Sequence, residues 1–255
     1  MIENNLKRIK LLEEKAQLTY EEWFVRMRFP GWEQVKVDAE SGLPEGWETT
    51  DLSHFFSVKH GYAYKGVNFS EEETNRILLT PGNFKIGGGL KLNKIKYYAD
   101  DAESPNAYVL KKHDLLLTMT DLSKMGDTLG YPLLVPTNDS KTFLHNQRLG
   151  KVIPIQESIF PKYFYYFYFQ DIKYRSFVVG SSSGTTVKHT APKKILAFKP
   201  VLPPIDGPIV EKFNNSVKPN LETIDILMNQ NQLLKEARDL LLPRLMMGMI
   251  DVDKL

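Results

Sequence analysis

LETIDILMNQNQLLKEARDLLLPRLM, residues 221–246, reads as a helix with too much apolar surface to stand alone. Ile224, Leu227, Leu234, Leu241 and Leu245 fall on alternating steps of three and four, with Asn231 and Arg238 completing the row. That spacing is a coiled-coil seam, and it needs a partner. A second seam lies at the other end of the chain. In MIENNLKRIKLLEEKAQLTYEEWFVRMRFPG, residues 1–31, Ile2, Ile9, Leu12, Ala16 and Trp23 follow the same spacing, with Asn5 and Thr19 filling the gaps. A seam of about 22 residues is roughly 33 Å long, close to one turn of B-form DNA. Ordinary surface helices on a globular core would carry a similar pattern, but Asn at a core position argues against them. A buried Asn costs stability and is better understood as fixing register between paired helices.

Between the seams lies material for a sizeable core, since 255 residues with 42% hydrophobic content exclude a disordered chain. The opening carries Glu3, Lys7, Arg8 and Lys10 where a signal peptide would be apolar, and no apolar run reaches the roughly 18 residues of a membrane span. Zero cysteines exclude a disulfide framework and a thiolate metal site, which suits a cytoplasmic protein. The net charge of +2 is uninformative until it is divided. Residues 43–205 hold 20 Lys and Arg against 15 Asp and Glu, leaving 13 against 16 for the flanks, so the middle is the basic part and leans towards DNA.

The first helix is expected to end near Arg28, because Pro30 and Gly31 follow. A linker punctuated by Gly42, Pro44 and Gly46 leads into short apolar runs, NRILLTPGNF, KIKYYADD, AYVLKKHDLLLTMT and LGYPLLVP, which read as strands of a mixed or antiparallel arrangement. Gly87, Gly88 and Gly89 have no GK[ST] after them, so a phosphate loop is not expected. The loop instead sets Lys85, Lys91, Asn93 and Lys94 where they meet phosphates or base edges, or simply forms a solvated turn. Seven successive aromatics, Tyr163 to Phe169, follow a helix-starting Pro161. Such a run can stack unpaired bases, but a segment aromatic all round belongs in a core. No constellation of catalysis or metal binding emerges: the five histidines show no HExxH spacing, and there is no GxSxG elbow.

KRIKLLEEKAQLTYEEWFVRMRFPG with the following LPEGWE, the internal DLLLT, NQR and GTTV, the VLPPI exit and the closing LLLPRLMMGMIDV together resemble the specificity subunit of type I restriction-modification enzymes. The resemblance runs over essentially the whole chain. It departs from the family's usual form in one respect: a full subunit has two target-recognition domains, and here there is one. The implied order is the end of a central conserved helix over 1–29, a linker over 30–41, a target-recognition domain over 42–205 and a distal conserved helical region over 206–255. This half-subunit would be a natural short form, a split gene product or an excised piece.

The resemblance implies an α/β (mixed α+β) target-recognition domain with a projecting antiparallel two-helix coiled-coil stalk. Two copies would dimerise through the helices and set two recognition domains on an interrupted inverted-repeat target in double-stranded DNA. Chemistry would belong to partners: a modification subunit with S-adenosylmethionine, and a restriction subunit with ATP and magnesium. This chain would hold no cofactor and no metal and would not be an enzyme. Its DNA-binding candidates are Lys85, Lys91, Asn93 and Lys94; Thr120, Ser123 and Lys124 after the DLLLT strand; Asn146, Gln147 and Arg148 of the NQR motif; and Thr185, Thr186 and Lys188. Arg pairs with guanine or phosphate and Asn or Gln with adenine, although NQR also suits a structural turn whose amides satisfy backbone. The partner or dimer surface would include Ile9, Leu12, Trp23, Ile224, Leu227, Asn231, Leu234 and Leu241, with intramolecular packing the competing role for Trp23. Two other functions fit less of the sequence: a DNA-recognition module of another defence system, and a coiled-coil adaptor binding a protein.

Overall fold

The computed structural model describes residues 1–137 and 140–249, so the last residues of the LLLPRLMMGMIDV motif lie outside the described residues. The chain divides into two compact units: Met1–Thr19 with the chain from Asn215 onwards, and Tyr20–Asn214. In chain order, helix α1 (Ile2–Tyr20) precedes strands β1 (Glu48–Thr49), β2 (Phe56–His60), β3 (Phe69–Ser70), β4 (Arg76–Leu79), β5 (Tyr97–Tyr98), β6 (Leu115–Thr118) and β7 (Thr120–Asp121). Strands β8 (Pro132–Leu134), β9 (Thr142–His145) and β10 (Leu149–Pro154) follow, then helices α2 (Lys162–Tyr168) and α3 (Ile172–Gly180) and strand β11 (Lys188–His189). Helix α4 (Pro192–Leu196), strand β12 (Val201–Leu202) and the long helix α5 (Pro208–Met246) complete the order.

The larger unit is built on two four-stranded sheets. One, in the order β2-β10-β6-β8, is antiparallel throughout, with Val58 opposite Val152, Gly150 opposite Leu117 and Leu116 opposite Leu133. The other, β3-β5-β4-β9, contains a parallel pair in which Leu79 lies opposite His145. Of the mixed or antiparallel arrangements expected of the apolar runs, one sheet is antiparallel and the other mixed. The all-buried LLLT of β6 follows from its central place: a strand covered on both faces needs no alternation. The aromatic run is core. Phe164, Tyr165, Phe167 and Phe169 are buried in and just beyond α2, where Phe164 packs edge-on against Phe24 at 4.8 Å and Tyr165 against Phe56 at 5.1 Å. Burial holds the Tyr165, Tyr168 and Tyr174 phenols far above the ordinary tyrosine range. Trp23 packs on Phe213 at 5.9 Å within this same unit, so part of its surface serves the fold.

Two boundaries differ from the sequence-based expectation. Helical structure at the start stops earlier than Arg28: α1 ends at Tyr20, and a single wider turn, Glu21–Val25, carries the chain to Arg26. The final helix starts earlier than Leu221, at Pro208, and runs through Pro219. A proline at the first helical position loses nothing, since that N–H has no partner in any helix.

In the smaller unit the buried side chains repeat on the anticipated spacing. Asn5, Ile9 and Ala16 of α1 are buried, as are Val217, Leu221, Ile224, Leu227 and Asn231 of α5; Leu12 and Leu234 are half-buried. Asn5 donates from Nδ2 to Asn231 Oδ1 at 3.0 Å, so the two polar core positions satisfy each other. From residue 235 to 249 every residue is exposed, and Leu241 at 47% is not covered by this chain.

Candidate nucleic-acid interface

The register of the antiparallel sheet decides where the candidate loops lie. Thr118 at the end of β6 pairs with Leu149 at the start of β10; Leu117 pairs with Pro132 at the start of β8; His60 at the end of β2 pairs with Gly150. Segments leaving β2 and β6 and segments entering β8 and β10 therefore share one end of the sheet. All four groups of candidate residues are attached there, across a width of roughly 14 Å at about 4.8 Å per strand.

Asn146, Gln147 and Arg148 form the turn between β9 and β10. Asn146 holds that turn in shape, since its Oδ1 accepts from the Arg148 N–H at 2.9 Å and its carbonyl accepts from Leu149 N–H at 3.0 Å. The turn is clamped to the segment leaving β2, with Gln147 N–H donating to the Tyr62 carbonyl at 3.0 Å. Gly61 permits this approach, since a Cβ there would lie 2.3 Å from the Asn146 carbonyl oxygen. Fixed in this way, the turn leaves Gln147 and Arg148 exposed. His145, buried just before it, sits with Nε2 3.0 Å from the Leu149 carbonyl, and burial pushes its imidazole down to about 4. The ring is neutral, with its proton on Nε2, because a carbonyl can only accept.

Arg148 also ties this turn to the next group, its carbonyl accepting from Met119 N–H at 3.0 Å. Thr120 follows, but it is buried, and its hydroxyl lies 3.1 Å from His189 Nδ1. Pairing of β7 with β11 sets Asp121 opposite Lys188 and Thr120 opposite His189. Beyond Thr186, reciprocal backbone bonds between Ser183 and His189 close a hairpin whose tip carries Thr185 and Thr186, both exposed. Ser123 is half-buried within the loop after β7, and Lys124 is exposed on it.

The glycine loop reaches the same end from the β8 side. Gly89 N–H donates to the Pro132 carbonyl at 2.9 Å, and Gly87, Gly88 and Gly89 all take positive φ near 90°, which a side chain would resist. Asn83, fully buried, organises the rest: its Oδ1 accepts from the Thr80 N–H and hydroxyl, and its Nδ2 donates to the carbonyls of Lys91 and Lys94 at 3.3 and 3.2 Å. Lys85 and Lys91 are half-buried, and Asn93 and Lys94 are exposed. Sequence reasoning passed over Asn83 and Tyr62, because a buried amide and a clamping carbonyl have no pattern of their own. Among the described residues no group of His, Cys, Asp and Glu could hold a metal ion, and no helix is long and apolar enough to cross a membrane.

Residues 44–235 match the profile of the type I restriction modification DNA specificity domain. Over 258 residues the chain is 26% identical to the type I restriction enzyme MjaIX specificity subunit of Methanocaldococcus jannaschii, a match that takes in 100% of this chain and 56% of that one. Among solved structures it is similar in fold to the type I restriction-modification system S subunit from M. genitalium, with a TM-score of 0.57 at 17% identity over 94% of this chain and 55% of that chain. The chain thus spans about half the length of the relatives it matches.

Proposed function

The chain belongs to the family of type I restriction modification DNA specificity domains, and from that premise we propose that it reads double-stranded DNA as a half-sized specificity subunit. The observation that carries this reading is the convergence of four polar and basic loop groups on one end of a single sheet. Their width, roughly 14 Å, suits a major groove about 12 Å wide with its flanking phosphates. Residues 42–205 act as the target-recognition domain, with 1–29 and 206–255 as the conserved helical parts and 30–41 as the linker. Within the domain, Arg148 and Gln147 read base edges by hydrogen bonding. Lys85, Lys91, Lys94, Lys124 and Lys188 neutralise phosphates, with Asn93, Thr185 and Thr186 in supporting contacts. Thr120, Ser123 and Asn146 shape the loops from within.

Helices α1 and α5 pair as an antiparallel two-helix coiled coil. The Asn5–Asn231 hydrogen bond supports a fixed register between them. The uncovered apolar side chains of α5, among them Leu240, Leu241, Leu242 and Leu245, support docking of a second copy and of the modification and restriction subunits. Those partners supply the chemistry, with S-adenosylmethionine, ATP and magnesium, while this chain supplies the address.

Selection of binding sites from a random-sequence duplex library, with affinity followed against salt, tests the reading. A defined motif and a steep salt slope are expected. Arg148→Ala should relax preference at one position, whereas Lys94→Ala should weaken every sequence alike and lower the slope by about one. Binding that enriches no motif and ignores salt would refute it.

A further inference from the structure

The loop from Asp121 to Thr128, at the gathered end of the sheet, is tied down from within and from without. The Asp121 carboxylate accepts from the Ser123 N–H at 2.6 Å, from the Thr128 hydroxyl at 2.6 Å and from the Thr128 N–H. Burial raises the Asp121 carboxyl, but these bonds outweigh it and hold the group below the usual carboxylate range. Ser123 Oγ accepts from Asp127 N–H at 2.8 Å. From α3, Arg175 stacks its guanidinium 3.8 Å from the Tyr131 ring centroid and donates through Nη2 to the carbonyls of Gly126 and Asp127 at 3.0 and 3.3 Å. The conformational entropy of this loop is already spent before any ligand arrives, which is the condition for precise recognition.

On this rigid frame Leu122 and Met125 are 71% and 76% exposed. Single exposed apolar residues are ordinary; two of them on one braced turn are a presented surface. Their surroundings are those of a groove binder. Lys124 lies exposed between them, and Lys188 stands in register with Asp121, its Cγ 3.7 Å from where a Cβ of Gly126 would be. Thr185 and Thr186 are exposed on the neighbouring hairpin, and Asp127 is the exposed carboxylate among them. Apolar side chains flanked by cations match the major groove at a thymine, where a methyl group projects between rows of phosphates. Two apolar side chains carried on one turn suit that methyl better than they suit insertion as a single blade between stacked bases.

We infer that Leu122 and Met125 are thymine readers: they contact a 5-methyl group in the major groove, while Lys124 meets a neighbouring phosphate and Arg175 is the positioning residue that aims the loop. The inference rests on the DNA reading above and names the base feature that one of its loops takes. The test uses the full chain together with the modification subunit of its own system, bound to the library-selected motif with uracil replacing thymine one position at a time. At one or two positions uracil should weaken binding about fourfold, the worth of one buried methyl group. In the Leu122→Ala, Met125→Ala double variant the thymine preference at those positions should vanish and uracil should have no effect. Arg175→Ala should lose the same discrimination with the salt slope unchanged, whereas Lys124→Ala should lower the slope by about one and leave the motif intact. Thermal melts at the wild-type temperature show that the surface variants are folded. Indifference to uracil at every position, or a double variant that keeps its thymine preference, overturns the inference; a wedge between bases would give the first result together with a bent duplex. A wild-type protein that enriches no motif refutes the DNA reading itself and removes this inference with it.

Discussion

His145 shows how a single buried side chain links the sheet to the presented turn. Its imidazole is pushed down to about 4 by burial, against an ordinary value of 6.5, so the unfolded chain takes up a proton at a higher pH than the folded one. Stability contributed by the neutral ring is fully present above about pH 6.5 and is lost as pH falls towards 4. A shift of this size corresponds to about 3 kcal/mol. Thermal melts between pH 7 and 4 should therefore show a stability slope that is shallower in His145→Gln; equal slopes would mean that the ring is protonated without strain. Asn83 works differently. Its amide has no charge to gain or lose, yet it satisfies donors and acceptors from both stems of the glycine loop and so decides where Lys91 and Lys94 are carried.

At the level of elements, the pairing of α1 with α5 in the smaller unit rests on an apolar row broken once by amides. Asn5 and Asn231 are each buried, and each is the other's hydrogen-bond partner. Replacing one by Leu strands the other's amide, at a cost of about 1–3 kcal/mol. Replacing both restores an apolar seam. We expect Asn5→Leu or Asn231→Leu alone to lower the melting temperature, and the double variant to recover or exceed the wild type while losing a unique register. Chemical denaturation of the three variants, with cross-linking between engineered cysteines on the two helices, reads both effects. A double variant with one unchanged register would show that the amides do not set it.

For the whole molecule, the proposed dimer makes a geometric demand. In that proposal two copies related by a two-fold axis read the same half-site in inverted orientation, with the paired helices as the spacer between them. Duplexes carrying two selected half-sites in inverted repeat, separated by zero to twelve base pairs, should give a sharp affinity optimum at one spacing. Equal affinity at all spacings would mean that each copy binds alone, and the exposed apolar residues of α5 would then need another occupant.

Periodicity made the helical seams legible from sequence, because burial of every third and fourth residue leaves a regular trace, and Ile9, Ile224, Leu227 and Asn231 are buried on it. The aromatic run was legible as core for the opposite reason: a helix aromatic on all sides has no face to offer water. The motifs identified the family. What they could not supply was the convergence of loops separated by a hundred residues, since strand register is set by cross-strand packing and not by neighbours along the chain. Thr120 and Lys188 lie in adjacent paired strands, but Thr120 turns inward to His189, while Leu122, two residues on, stays in water. Local sequence determined the two terminal helices, several of the strands and the family; only the tertiary structure decided the remaining strands, β2, β9 and β10 among them, and which side chains of the loops face outward together, because that depends on contacts between distant segments.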